Sequence, residues 1–208
     1  MRTLTREMQA HLSPEQAIQL LKDGNQRFVS NLKLNRNLLQ QVNETSEGQF
    51  PFAVILSCID SRTSAELIFD QGLGDIFSCR IAGNILNEDI LGSMEFACHI
   101  AGSKVIVILG HTKCGAVQGV CHGIKLGNLT ALLDKLQPVV DAELSGKNIS
   151  DISDPEFMEN VARLNVHYVI NEIPKRSQVI AEMLGNGKVA LVGGMYDVDT
   201  GIVTFYDK

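Results

Sequence analysis

From residue 52 onward the chain alternates short apolar runs of strand length with amphipathic stretches of helix length. Three strand and helix pairs follow one another: 52–57 with 64–71, 75–80 with 89–101, and 104–109 with 115–122. Short apolar strands that alternate with helices are typical of a parallel sheet with helices on both of its faces. The pattern therefore predicts an α/β fold with a central, mostly parallel β-sheet flanked by helices.

The later apolar positions predict further helices and a closing hairpin. Helical spacing predicts helices over 128–144, 155–171 and 174–184. The runs 189–195 and 202–206 are separated by a polar turn, and they predict a last strand and a C-terminal hairpin.

Residues 1–34 predict a helical arm ahead of the main fold. Ser13 can cap a helix, Pro14 suits its first turn, and Gln16 lies where a capping box places it. The polar stretch 35–48 that follows is predicted to be a connection with one short helix. Because an arm on a long connection commonly packs on a neighbouring subunit, a homodimer is a hypothesis.

The composition bounds the classes of function. A chain of 208 residues with 45% hydrophobic and 20% charged residues fits one soluble globular domain over 1–208. Its net charge of −6 argues against a nucleic acid or an anionic membrane as partner, since both reward a basic face, and it favours a small or neutral ligand. No apolar run resembles a signal peptide or approaches the roughly 20 residues of a membrane span. We therefore expect a cytoplasmic protein.

Five cysteines are scattered through the predicted strands and helices: Cys58, Cys79, Cys98, Cys114 and Cys121. Their number is odd, and the chain is neither short nor cysteine-dense, as a disulfide scaffold usually is. Reduced thiols are expected instead. Cys79, Cys98 and Cys121 fit small core residues, because free cysteine is commonly buried.

Reactive side chains follow two of the predicted strands. The run that begins at Phe52 ends at Cys58, Asp60 and Arg62, and the run 104–109 is followed by His111 and Cys114. Ligands of parallel sheets bind beyond the carboxyl ends of the strands. We therefore expect these groups to form one site.

Cysteine and histidine side chains are the typical ligands of zinc, which takes four in a tetrahedron. His111 and Cys114, three residues apart, can reach one ion, and Cys58 can supply the third ligand from the other strand. A competing third ligand, Cys121 or His122, would lie about 10 Å along a helix that begins at Gly115, which disfavours it.

Three protein ligands leave the fourth position to water or to the carboxylate of Asp60, as in a catalytic site. Arg62 is placed to hold Asp60 by a charge-assisted fork. The alternative is that Asp60 and Arg62 form only a structural ion pair at a turn.

The motif Cys-x-Asp-Ser-Arg at 58–62, with His-x-x-Cys at 111–114 followed by Gly-Ala, resembles the β-class carbonic anhydrases. The resemblance includes Phe-Ser-Cys-Arg-Ile-Ala-Gly-Asn at 77–84 and Gly-Ser-Met-Glu-Phe at 92–96, and in order and length it covers almost the whole chain. It implies one Zn²⁺ per chain. It also assigns Cys58, His111 and Cys114 as the ligands, and Asp60 and Arg62 as the catalytic pair.

The resemblance also implies pocket residues of the plant-type subtype. Gln49 matches a pocket glutamine, and Phe77 matches a pocket aromatic residue. Phe96 stands where the subtype has tyrosine, and Ala82, next to Gly83 of the pocket, stands where it has valine. The chain has no tryptophan, which the bacterial subtype with an inhibitory bicarbonate site uses. An open, water-ligated zinc is therefore expected, with Asp60 a possible fourth ligand in a closed state at low pH.

The implied reaction is the reversible hydration of carbon dioxide to bicarbonate by zinc-bound hydroxide. Asp60 would accept the proton that remains on the hydroxide, and Gln49 would donate to the substrate. The resemblance further implies dimers, with active sites at the interface and the arms over the partner. Dimer and tetramer both stay open as the final assembly. Gln49 and the aromatic residues could then reach the neighbouring zinc.

Two other functions use the same residues. One is the hydrolysis of carbonyl sulfide or carbon disulfide on the same scaffold. The other is a zinc or bicarbonate-binding module without catalysis, against which the intact Asp60 and Arg62 argue.

Overall fold

The computed structural model describes residues 3–145 and 152–206. Its sheet has five strands in the order β2-β1-β3-β4-β5. The strands are β1 Ala53–Ser57, β2 Ile76–Arg80, β3 Val105–His111, β4 Ala190–Tyr196 and β5 Val203–Phe205. The first four are mutually parallel and β5 is antiparallel to β4. The predicted α/β fold, with its mostly parallel sheet and C-terminal hairpin, is confirmed.

Ten α-helices surround the sheet within the described residues. They are α1 Arg6–His11, α2 Pro14–Val29, α3 Leu38–Thr45, α4 Ala65–Ile68, α5 Glu88–Glu95, α6 Gly115–Cys121, α7 Gly127–Leu133, α8 Gln137–Leu144, α9 Pro155–Arg176 and α10 Gln178–Gly185. No helix of these residues is long and apolar enough to cross a membrane.

Strands β1 and β3 form the centre of the sheet. Every residue of both is buried, because helices cover both faces. Their register pairs Ser57 with Leu109, so that Cys58 and His111 follow at the same edge of the sheet. This register sets the position of the candidate site.

The predicted arm packs on the chain's own sheet. Helix α2 begins with the predicted capping box between Ser13 and Gln16, and it buries Ala17 and Leu21 in one of the two core clusters. Gly24 permits the close approach, since a Cβ there would lie only 1.8 Å from the carbonyl oxygen of Phe69. Contact of the arm with a partner subunit stays a prediction.

The arm is also held by a buried ion-pair cluster. Arg27 Nε and Arg36 Nη1 contact the two carboxylate oxygens of Asp70 at 2.6 and 2.5 Å, and the side chain of Asp70 is only 3% exposed. Asp70 has a φ of 45°, a left-handed conformation that aspartate and asparagine tolerate better than most residues. The cluster joins α2 and the connection after it to the end of α4.

The helix predicted over 128–144 is wrong as a single element, because the structure divides it into α7 and α8. Pro138 lies in the first turn of α8. Since proline has no backbone N–H, it cannot bond the carbonyl of Asp134, and a single helix over 128–144 would lose this bond in its interior. Proline does suit the start of a new helix.

The helix predicted over 174–184 exists, but its predicted start at Pro174 is wrong. Helix α9 runs through Pro174 to Arg176, and α10 begins at Gln178 after the cap Ser177, whose hydroxyl accepts from Ile180 N at 3.1 Å. Pro174 lies in the last turn of α9, where one missing hydrogen bond is tolerated. The true boundary is therefore set by the serine cap.

The helix predicted over 89–101 ends in a wider turn. After α5 the chain forms one π-type turn over Phe96–Ile100, closed by a bond of 2.9 Å from Ala101 N to Phe96 O. The ring of Phe96 is left exposed.

Candidate metal centre

Three buried ligand residues meet at the carboxyl edge of the sheet. Cys58 directly follows β1, His111 is the last residue of β3, and Cys114 precedes α6. Between the last two, Lys113 has a φ of 54°, which turns the chain back so that both side chains face the same point. The strand order makes β1 and β3 neighbours, and this brings Cys58 to the other two.

The ligand atoms of Cys58, His111 and Cys114 all lie within 4.8 Å of one another. Within residues 3–145 and 152–206, no other set of three histidine, cysteine or acidic side chains could hold a metal ion. Two sulfurs and an imidazole nitrogen are a donor set that suits zinc.

The orientation of His111 fits a metal ligand. Its Nδ1 lies 2.8 Å from the carbonyl oxygen of Thr112, which can only accept, so Nδ1 carries the proton. Nε2 is then an acceptor, and it is buried without a hydrogen-bond partner. A buried polar atom without a partner is costly, and a cation facing Nε2 would remove that cost.

The two thiols change each other's ionisation. A hydrogen bond from the Cys114 thiol is the main cause that lowers the pKa of Cys58 to about 4, against the opposing effect of burial. The same bond, followed by burial, raises the pKa of Cys114. Cysteine binds a metal as the thiolate, so a cation bound at this pair would displace the remaining thiol proton.

Backbone N–H groups also face both sulfurs. Gly83 N donates to Cys58 Sγ at 3.4 Å, and the backbone of Asp60 lowers the pKa of the same thiol by a further bond. The backbone N–H groups of Ala116 and Val117, in the first turn of α6, act on Cys114. The site is therefore built to hold negative charge on sulfur.

Asp60 and Arg62 form a two-pronged ion pair beside the ligands. Arg62 donates from its backbone N and its Nε to Asp60 Oδ1, both at 2.9 Å, and from Nη2 to Oδ2 at 2.8 Å. These bonds, against some opposing burial, hold the pKa of Asp60 well below its usual range. Asp60 is ionised, and in this structure it binds Arg62 and is not part of the ligand group.

The peptide backbone around Cys58 is held by side chains that the sequence did not single out for this role. Arg80 donates from Nε to Cys58 O at 3.1 Å and from Nη2 to Asp60 O at 2.7 Å. The hydroxyl of Thr63 lies 3.0 and 2.9 Å from the same two carbonyls. Arg80 lies within the motif at 77–84, and that was the one signal available for it.

Two side chains of helix α9 hydrogen-bond to the backbone around the site. Glu159 Oε1 accepts from the backbone N of Lys113 at 2.7 Å, and Asn165 Nδ2 donates to Gly83 O at 2.9 Å. Neither residue carries a sequence signal, because their partners lie 46 and 82 residues away.

A family model described as carbonic anhydrase matches residues 53–203, which include all three ligand residues. The chain belongs to the carbonic anhydrase family. It is 36% identical over 200 residues to carbonic anhydrase 2 of Mycobacterium tuberculosis, and the match covers 94% of each chain.

Solved structures assign the class within this family. The β-carbonic anhydrase CafA of Aspergillus fumigatus is 28% identical, with a TM-score of 0.72 over 81% of each chain. The β-carbonic anhydrase CcaA is 26% identical, with a TM-score of 0.73 over 91% of this chain and 95% of the other. The prediction of a β-carbonic anhydrase from the paired motifs is confirmed.

An apolar cavity of about 260 Å³ opens on the ligand group of this carbonic anhydrase. Cys58, Asp60 and Ala82 are among the residues that line it. The rest of its wall is small or aliphatic: Ile59, Gly115, Ala116, Gly119, Ile124, Leu129 and Leu133. Ala82 thus lines this cavity, and the N–H of Gly83 donates to Cys58 Sγ. That the two bind substrate stays a prediction.

The other three pocket residues lie elsewhere in the single chain. Gln49 precedes β1, at the end of the strand away from Cys58, and its Cβ lies 3.9 Å from where a Cβ on Gly74 would be. Phe77 and Phe96 make an edge-to-face contact, with ring centroids 6.2 Å apart, and line a separate groove of about 690 Å³. The structure does not bring these three to the ligand group of their own chain.

Proposed function

We propose that this protein catalyses the reversible hydration of carbon dioxide to bicarbonate, with one zinc ion held by Cys58, His111 and Cys114. The observation that carries the proposal is the buried set of two sulfurs and one unpartnered imidazole nitrogen beside an ionised Asp60, in a chain of the carbonic anhydrase family. When bound there, zinc lowers the pKa of a coordinated water to about 7 and so supplies a nucleophile at neutral pH.

Asp60 orients the nucleophile by accepting its remaining proton in a hydrogen bond. An ionised carboxylate can only accept. Oδ1 already receives two bonds from Arg62 and Oδ2 receives one, so Oδ2 is the oxygen with more free accepting capacity. Arg62 keeps the carboxylate charged and fixed in this orientation.

The cavity wall selects the substrate by its polarity. Carbon dioxide is linear and has no net dipole, so it can leave water for an apolar cavity at little cost. Ala82 and Cys58 both line this cavity, and the small side chain of Ala82 leaves space for the molecule.

We infer that the functional unit is a dimer in which Gln49, Phe77 and Phe96 complete the partner's site. All three lie away from the chain's own ligand group, and Phe96 is 54% exposed. In that position the amide of Gln49 donates to an oxygen of carbon dioxide as negative charge develops on it.

The five cysteines are free thiols, which fits our expectation of a cytoplasmic location.

The proposal is tested by measuring zinc content and stopped-flow carbon dioxide hydration on the same sample. We expect about one zinc per chain and fast hydration, with both lost in Cys58→Ala. Cys98→Ala is the matched control, because Cys98 is equally buried but lies outside the ligand group.

Two results would overturn parts of the proposal. Full zinc in Cys58→Ala would contradict the ligand assignment, and zinc-loaded wild type without hydration would contradict the activity. Faster turnover of carbonyl sulfide than of carbon dioxide, measured side by side, would assign the substrate to the sulfur analogue.

A further inference from the structure

Asn165 is a buried polar residue on the inner face of α9 and is only 2% exposed. Its Nδ2 donates to the carbonyl oxygen of Gly83 at 2.9 Å. The neighbours Ala162 and Val166 belong to the apolar core, so Asn165 is an exception on this face. A buried amide in an apolar surrounding is costly unless it is hydrogen-bonded, and the bond to Gly83 offsets this cost.

Gly83 connects Asn165 to a ligand residue. Its own N–H donates to Cys58 Sγ at 3.4 Å, and its φ of 67° is in the left-handed region that favours glycine. A Cβ at this position would lie 3.0 Å from Leu136 and 3.1 Å from Ala116. The backbone of Gly83 is therefore held between the amide of Asn165 and the sulfur of Cys58.

A hydrogen bond to a ligating thiolate draws electron density away from the metal. Hydrogen bonds to cysteine sulfur tune metal centres in this way. The effect matters here because two thiolates donate more charge than imidazoles would, which opposes the acidification of a bound water. Cys58 and Gly83 are buried, so solvent is poorly placed to replace a displaced N–H donor.

We propose that Asn165 is a positioning residue: it holds Gly83 so that the Gly83 N–H stays aimed at Cys58 Sγ and limits the charge that this sulfur donates to the metal. The inference rests on the proposed zinc site. It predicts that Asn165 affects the metal through Cys58 although it touches neither the metal nor the substrate.

The test compares Asn165→Leu and the smaller Asn165→Ala with wild type after substitution of cobalt(II) for zinc. Loss of the N–H bond raises the energy of the sulfur electrons. We therefore expect the thiolate-to-cobalt charge-transfer band to shift to longer wavelength. Zinc affinity, measured by competition with a chromophoric chelator, is expected to fall roughly 10-fold, as is typical when a residue that supports metal ligands is replaced.

Val169→Ala is the control for lost stability. Val169 lies one turn further along α9, is 1% exposed and belongs to the same core cluster. It should lower the melting temperature without moving the cobalt band. If Asn165→Leu does not fold, Asn165→Ala supplies the same comparison at a smaller change of packing.

The outcomes separate the two proposals. A cobalt band and a zinc affinity in both Asn165 variants equal to those of wild type would overturn the role of Asn165 and leave the zinc site intact. A wild-type protein that binds neither cobalt nor zinc would overturn the zinc site itself. An equal shift in Val169→Ala would show that the effect is general loosening of the core.

Discussion

Gln49 and Cys58 lie at opposite ends of strand β1, although both belong to the implied active site. The strand has five residues and is therefore roughly 16 Å long. A glutamine side chain does not reach across that length. If Gln49 acts in catalysis, it acts on the ligand group of another subunit.

We therefore predict complementation between two inactive variants. Gln49→Ala keeps its ligand group, and Cys58→Ala keeps its glutamine. In a mixed dimer, one site has both. After the two proteins are unfolded together and refolded with zinc, hydration should recover to roughly a quarter of the wild-type rate, because half of randomly formed dimers are mixed and each has one complete site.

The control for this experiment is a mixture of Cys58→Ala and Asp60→Asn. Both changes damage the site of their own chain, so no mixed dimer has a complete one. A Gln49→Ala and Cys58→Ala mixture that gives only the average of its two components would contradict a role for Gln49 in the partner's site.

Asp60→Asn is predicted to keep zinc and lose turnover. The amide has one oxygen in place of two and presents N–H groups where an acceptor is needed, so the nucleophile loses its orientation. The kcat for hydration should fall about 10²-fold or more, as is common when a positioned polar group is removed. Asp134→Asn removes an exposed carboxylate that is also paired with a cation, Lys125, and it should leave kcat unchanged.

Asp70→Asn is predicted to destabilise the protein at neutral pH but not in acid. Burial alone would raise the pKa of Asp70, but hydrogen bonds from Arg27 and Arg36 hold it below the usual value. Because the folded pKa is the lower one, this stabilisation is complete above the unfolded pKa of about 4 and is lost as the pH falls through the folded value. The stability that Asp70 contributes therefore decreases with falling pH, as expected for a carboxylate whose charged form is favoured by folding.

Urea unfolding of wild type and Asp70→Asn at several pH values measures this effect. At pH 7 the variant should be less stable by about 3 kcal/mol, since it leaves Arg27 and Arg36 without their buried partner charge. As the pH falls below 4, the free energies of unfolding of the two proteins should converge. A difference that is constant with pH would show that the loss is one of packing, not of charge.

Gly110→Ala is predicted to destabilise the protein by about 1–3 kcal/mol through overpacking. A Cβ there would lie 2.6 Å from Met195 Sδ and 2.7 Å from Val166 Cγ2, at the point where α9 crosses β3. Val166→Ala in the same protein should restore part of the loss, because it removes the methyl group that collides. Thermal unfolding of the single and double variants measures both effects.

Gly185→Ala is the matched control, since a Cβ at this helical position would meet no described atom within 4 Å outside its chain neighbours and its own helix backbone. It should leave stability unchanged or slightly raised. If Gly110→Ala were as stable as wild type, the approach of α9 to β3 would be looser than the structure has it.

The sheet could be predicted because its central strands are buried on both faces, which makes them continuously apolar in sequence. The helix boundaries were less predictable at Pro138 and Pro174. Each proline is compatible with the start of a helix, and only the cap at Ser177 shows that one of them lies near an end.

The ligand group could be predicted because cysteine and histidine are chemically specific and lie directly at strand ends. The residues that support it could not. Asn165 and Glu159 look like ordinary polar positions of a helix, and their roles depend on tertiary contacts with Gly83 and Lys113. The separation of Gln49 from Cys58 likewise becomes clear only when the structure shows that the whole of β1 lies between them.

The strands that carry Cys58 and His111 are neighbours in the sheet but 53 residues apart in the chain. An unfolded chain offers a cation the local pair of His111 and Cys114, and it must close a long loop, at an entropic cost, to add Cys58. A cation bound at the group therefore prefers the folded chain and raises its free energy of unfolding. In a cell short of metal, empty chains would unfold more often and be degraded first, so the supply of metal would set how much of this protein accumulates.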